Sequence, residues 1–133
     1  MTRDEFISIF ARERARFAHV YPRLSTSQLV FITGPCSLPE SCSYRDFAYA
    51  LPEEAPPKVV FNERILGHPW WNAVALIRHE LGHLADDRVA NVGREQVADD
   101  IAEFVTGERI NYNDRDVQTM QAGTYPRPPW IHG

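Results

Sequence analysis

The spacing of apolar residues along the chain predicts three helices separated by a block of short strands. Phe6, Ile9, Phe10 and Phe17 recur on one helical face behind Thr2 and Glu5, which stand at the positions of a capping box, so a first helix should begin at once and end near Tyr21-Pro22. Gln28 to Thr33 is short, β-branched and closed by Gly34-Pro35, and Ser43 to Leu51 carries the aromatic content of a second strand, so the two are expected to form a hairpin. After Pro52, Pro56 and Pro57, Lys58 to Asn62 reads as a third strand, and its proline-rich approach favours a sheet edge. Pro69 suits a first helical turn, and Trp70, Val74, Ile77, Leu81 and Leu84 follow at steps of four and three. That stripe leaves His79 and His83 on another face. Asn91-Val92-Gly93 should break the chain, and a last helix from about Arg94 to Val105 should bury Val97, Ile101 and Phe104 while presenting Glu95 and Asp99 one turn apart on a second face. Elements of both types in this order predict a compact α+β domain over residues 1–124. Tyr125 to Gly133, rich in proline, is expected to be an extended tail.

Length and charge narrow the function classes. At 133 residues the chain fits one domain with one site. A net charge of -4 and a pI near 5.7 offer no electrostatic footprint for a phosphate backbone, and Arg12, Arg14 and Arg16 are interleaved with Glu13, which argues against nucleic acid as a ligand. No segment is long and apolar enough to span a bilayer, and the first residues lack a signal-peptide pattern, so the chain reads as a cytoplasmic protein with no membrane partner. Cys36 and Cys42 flank a turn-rich loop; a disulfide across it is geometrically possible, and two reduced thiols are an equally good reading. Their spacing is a poor match to a zinc knuckle.

The chemistry concentrates in His79-Glu80-Leu81-Gly82-His83, with Glu95 twelve residues further on. Two histidines four apart on a helix point the same way one turn apart, so both imidazoles can reach one ion. A catalytic zinc site usually takes three protein ligands and leaves a position for water, which calls for one more ligand and a base. Glu95 fits the first role and Glu80 the second. Asp86 and Asp87 are rival ligands, but they lie within a turn of His83 and read better as a solvated helix end. Antiparallel helices would bring Glu95 to the histidines, with Gly82 leaving room for close approach. His19, His68 and His132 have no paired ligand spacing, and Trp70 and Trp71 read as core and cleft-wall aromatics.

Over residues 58 to 106 the pattern His-Glu-x-x-His followed by Glu-x-x-Ala-Asp resembles the gluzincin zinc metallopeptidases, in particular the minigluzincins. It is also similar to the ImmA/IrrE-type metallopeptidases. The resemblance implies a zincin-like fold, a Zn2+ cofactor and a peptide or protein substrate. It implies His79, His83 and Glu95 as metal ligands, Glu80 as general base, and Asp99 as the residue that holds a ligand histidine, with His79 the expected partner. It further implies that an extended peptide adds to a strand beside the cleft, for which Val59 to Asn62 is the candidate. The short interval between His83 and Glu95 departs from the larger relatives, since it demands a tight reversal and leaves no inserted substrate-binding subdomain. For the oxyanion-stabilising group, Tyr112, Tyr125, His68 and His132 are all chemically able. The expected activity is zinc-dependent endopeptidase. The competing readings are a noncatalytic zinc-stabilised interaction module and a zinc hydrolase of a nonpeptide amide.

Overall fold

A computed structural model describes residues 1–33, 47–86 and 95–110. Helix α1 (Arg3–Val20) opens with the capping box: the Thr2 side chain accepts from the Glu5 amide at 3.1 Å, and the Glu5 carboxylate accepts from the Thr2 amide at 2.8 Å. Asp4 and Glu5 in the first turn also face the positive end of the helix dipole. The face carrying Phe6, Ile9, Phe10 and Phe17 is buried, with Phe6 set edge-on against Phe61 at 4.8 Å between ring centroids.

Three strands follow: β1 (Gln28–Ile32), β2 (Ala48–Leu51) and β3 (Lys58–Asn62). They form one mixed sheet in the order β1-β3-β2, with β3 parallel to β1 and antiparallel to β2. Two expectations fail here. β1 and β2 are not a hairpin, and β3 is the central strand rather than an edge. Val59, Val60 and Phe61 are consecutive and all buried, the continuous apolar run of a strand covered on both sides. Pro56 and Pro57 precede the strand and therefore cost it no ladder donor, while the Pro57 carbonyl accepts from the Gln28 amide at 2.9 Å.

A short 3-10 turn, Glu63–Gly67, leads to α2 (Trp70–Ala85), and α3 (Glu95–Thr106) packs against it. Asn72 to Ala85 are all buried, so α2 is wrapped on every side instead of exposing a polar face. Trp70 packs against the core, whereas Trp71 is 46% exposed. The expected core stripe of α3 holds only in part: Ile101 packs against the core, but Phe104 does not. Ala98, Asp99 and Ala102 are its buried residues, Val97 and Ile101 are half-buried, and Phe104 is 73% exposed. α3 turns its small residues to α2 because the two backbones nearly touch: a Cβ added to Gly82 would lie 2.3 Å from the Ala98 carbonyl oxygen. Larger side chains cannot fit along that line.

Two α1 arginines and Arg23, in the 3-10 turn Pro22–Thr26 that follows, bind backbone carbonyls within the protein. Arg14 donates to the Ser27 carbonyl, Arg16 to the Thr106 carbonyl at the end of α3, and Arg23 to the Leu84 carbonyl near the end of α2. Arg16 and Arg23 thereby meet the negative ends of α3 and α2. Among the described residues no helix is long and apolar enough to cross a membrane. Cys36, Cys42, Asp87, the Asn91–Gly93 reversal, Tyr112, the boundary at residue 124 and the tail with Tyr125 and His132 lie outside the described residues.

Candidate metal centre

α2 supplies His79 and His83, and α3 supplies Glu95 and Asp99. Their convergence follows from two local facts: the histidines stand one turn apart on α2, and the contact at Gly82 draws the first turn of α3 against that same turn of α2. His79 Nε2 lies 3.1 Å from His83 Nε2, His83 Nε2 lies 3.3 Å from Glu95 Oε1, and His79 Nε2 lies 3.9 Å from Glu95 Oε1. A tetrahedral ion with bonds of about 2.0–2.2 Å to nitrogen and oxygen separates its ligand atoms by about 3.3–3.6 Å. The three measured separations bracket that value, so His79, His83 and Glu95 form a group that can hold a metal ion.

Asp99 completes the arrangement behind the histidine. Its Oδ1 lies 2.7 Å from His79 Nδ1. Since an ionised carboxylate only accepts, Nδ1 carries the proton and Nε2 is the nitrogen turned to the other ligands. Asp99 is 3% exposed and His79 1%, so this pair is sheltered from competing water.

The electrostatics already favour a cation between these groups. Burial alone pushes His79 down, but its hydrogen bond to Asp99, the nearby Glu95 carboxylate and the charges of Glu80 and Asp99 outweigh burial and hold it at about 9. The neighbouring protonated His79 is the main cause that holds Glu95 below its usual value, against the opposing effect of burial. Burial and the His79 charge lower His83, against the opposing pull of Glu95 and Asp86. Burial drives Glu80 upward to about 7, opposed by the His79 charge and assisted by Glu95.

All five residues singled out in the sequence, His79, Glu80, His83, Glu95 and Asp99, are thus gathered where α2 meets α3. Asp86 is a correction. It is 5% exposed, not part of a solvated helix end, and its amide donates to the Gly82 carbonyl to close α2. His68 sits at the end of the 3-10 turn, edge-on to Phe47 at 5.0 Å. One buried pair beside the site escaped the sequence reading. Arg78 donates from Nε and Nη2 to Glu13 Oε1 at 3.1 and 2.9 Å. Its signal was available: Glu13 interrupts the apolar face of α1, and Arg78 interrupts the most apolar run of the chain.

No protein-family model, curated protein or solved structure matches this chain.

Proposed function

We propose that the chain is a zinc-dependent endopeptidase of gluzincin type, with a zincin-like fold reduced to the sheet, α2 and α3. The observation that carries the reading is the near-tetrahedral spacing of His79 Nε2, His83 Nε2 and Glu95 Oε1, joined to a buried Glu80 on the same helix. Two imidazoles and a carboxylate are the donor set of a hydrolytic zinc site, whereas calcium and magnesium favour all-oxygen shells. Zinc held there supplies Lewis acidity, which polarises a carbonyl and acidifies water.

His79 and His83 bind through Nε2 and Glu95 through its carboxylate. Asp99 fixes the His79 ring by holding the proton on Nδ1. In the metal-free protein burial pushes Glu80 up to about 7, and its deprotonated form is the one that can accept a proton. Its carboxylate takes a proton from the attacking water and returns it to the leaving amine nitrogen. An extended peptide is the substrate this geometry suits. Since β3 is flanked on both sides, we assign strand addition to the outer edge of β2, which pairs with no other strand among the described residues and packs against α2.

The test is zinc content and peptide hydrolysis on wild type, Glu95→Ala and Glu80→Gln. Wild type should carry near-stoichiometric zinc and Glu95→Ala little. Glu80→Gln should keep its zinc and lose about 10²–10⁴-fold in peptide turnover. A zinc-loaded wild type that cleaves no unfolded protein but hydrolyses small amides would refute the peptidase assignment, and full activity in Glu80→Gln would refute the general base.

A further inference from the structure

Glu13 stands in the middle of the apolar face of α1, 4% exposed, with Arg78 of α2 against it at 1%. Both bonds from Arg78 to Glu13 go to Oε1, while Oε2 is buried and has no hydrogen-bond partner among the described residues. Burying an ion pair costs more than burying apolar groups of the same volume, and an incompletely bonded carboxylate adds to that cost. Fold stability therefore does not account for the pair.

Its placement does. Arg78 immediately precedes His79, and His79 and His83 project about 100° and 140° around the helix from it. A group on the rim of a helix, 5–6 Å from the axis, moves about 1 Å for every 10° of helix rotation. Apolar burial is non-directional and tolerates such small rotations, but metal ligands do not. The same carboxylate oxygen lies 3.6 Å from Arg16 Nη1, and Arg16 Nη2 donates to the Thr106 carbonyl at 3.3 Å. A polar chain thus runs from α2 through α1 to the end of α3, joining the two helices that carry the ligands.

We propose that Arg78, Glu13 and Arg16 are positioning residues for the metal centre, fixing the rotation of α2 relative to α3. The inference rests on His79, His83 and Glu95 binding a metal. The test compares zinc affinity, the Co2+ absorption spectrum and the metal-free melting temperature of wild type, Glu95→Ala and the double variant Glu13→Leu/Arg78→Met. The double variant should melt no lower than wild type without metal, yet bind zinc about 10-fold or more weakly with an altered Co2+ spectrum. A merely structural role would move the melting temperature and leave the spectrum alone. Wild-type zinc affinity and spectrum in the folded double variant would overturn the proposal. Arg78→Lys, which keeps the charge but loses the two-bond fork, carries the same comparison should the double variant fail to fold. Failure of wild type to bind zinc would instead remove the metal-centre reading itself.

Discussion

Gly82→Ala sets two well-understood effects against each other. In an ordinary helix interior, alanine is favoured over glycine by about 0.8–1.0 kcal/mol, so the substitution should stabilise α2. Here the added Cβ would lie 2.3 Å from the Ala98 carbonyl oxygen, 2.9 Å from its carbonyl carbon and 3.0 Å from its Cα. All three atoms are backbone, so no rotamer change relieves the contact. Restoring ordinary van der Waals separation requires α3 to retreat by about 1 Å, and overpacking of this kind costs about 1–3 kcal/mol. The net change is destabilising by about 0–2 kcal/mol, a fall of up to several degrees in melting temperature for a domain of this size.

The metal should respond more strongly than the fold. Glu95 lies one turn before Ala98 on the displaced helix, and its Oε1 is 3.3 Å from His83 Nε2. A retreat of about 1 Å is several times the roughly 0.2 Å by which ligand distances vary in real sites. Effective loss of the carboxylate should weaken zinc by about 100-fold, equivalent to roughly 2.7 kcal/mol. Chelator competition measures the affinity, and thermal melts with and without zinc separate it from stability. A Gly82→Ala protein that melts higher than wild type and keeps its zinc affinity would refute the argument, because it would show that the close approach at Ala98 does not set the ligand geometry.

Asp99→Asn keeps size and shape but removes the negative charge behind His79, so zinc affinity should fall by about 10–100-fold with little change in helix content by circular dichroism. Unchanged affinity would mean that Asp99 is a structural buried carboxylate only. The pH dependence has a definite sign. His79 is raised from 6.5 to about 9 in the folded metal-free protein, so the native state holds a proton that the unfolded chain gives up, and the stability it contributes is lost as pH rises from about 6.5 through 9. Zinc must displace that proton, so the increment in melting temperature on adding zinc should grow over the same range. Parallel pH trends in the metal-free melting temperature and the zinc increment would contradict the assignment of His79 as a ligand.

What was legible in the sequence divides along physical lines. α1 was readable because its cap and its apolar face are local signals, and the convergence of His79 and His83 was readable because four-residue spacing on a helix fixes direction. The sheet order was not. Pairing β1 with β3 joins segments 30 residues apart through parallel register Gln28↔Lys58, which no local turn encodes. The run Val59-Val60-Phe61 was the available sign that β3 is central, and the preceding prolines outweighed it wrongly. The error in α3 has a different source. Hydrophobicity favoured Val97, Ile101 and Phe104 as the inner face, but the inner face had to bring Glu95 and Asp99 to His79 and also pass Gly82 closely, so Ala98 and Ala102 occupy it. Site geometry overrode the apolar pattern.

That override says what α3 is for. A helix added mainly for core burial would turn Phe104 inward, worth about 1.5–3 kcal/mol, and would not bury Asp99. This helix leaves Phe104 in solvent and encloses Asp99, His79 and Glu80 at 3%, 1% and 4% exposure. Buried titratable groups of this kind cost stability unless each has a charge or a bond to meet it. In the metal-free protein the proton on His79 meets that need in part, which is why His79 is held at about 9. A divalent cation held there would meet it more fully, and by binding only the folded chain would add about 2.7 kcal/mol of stability at a hundredfold excess over its dissociation constant. The α2–α3 pair therefore gathers a group that could hold a metal ion at some expense to the core, and on the proposed reading that ion would contribute to the fold as well as to the chemistry.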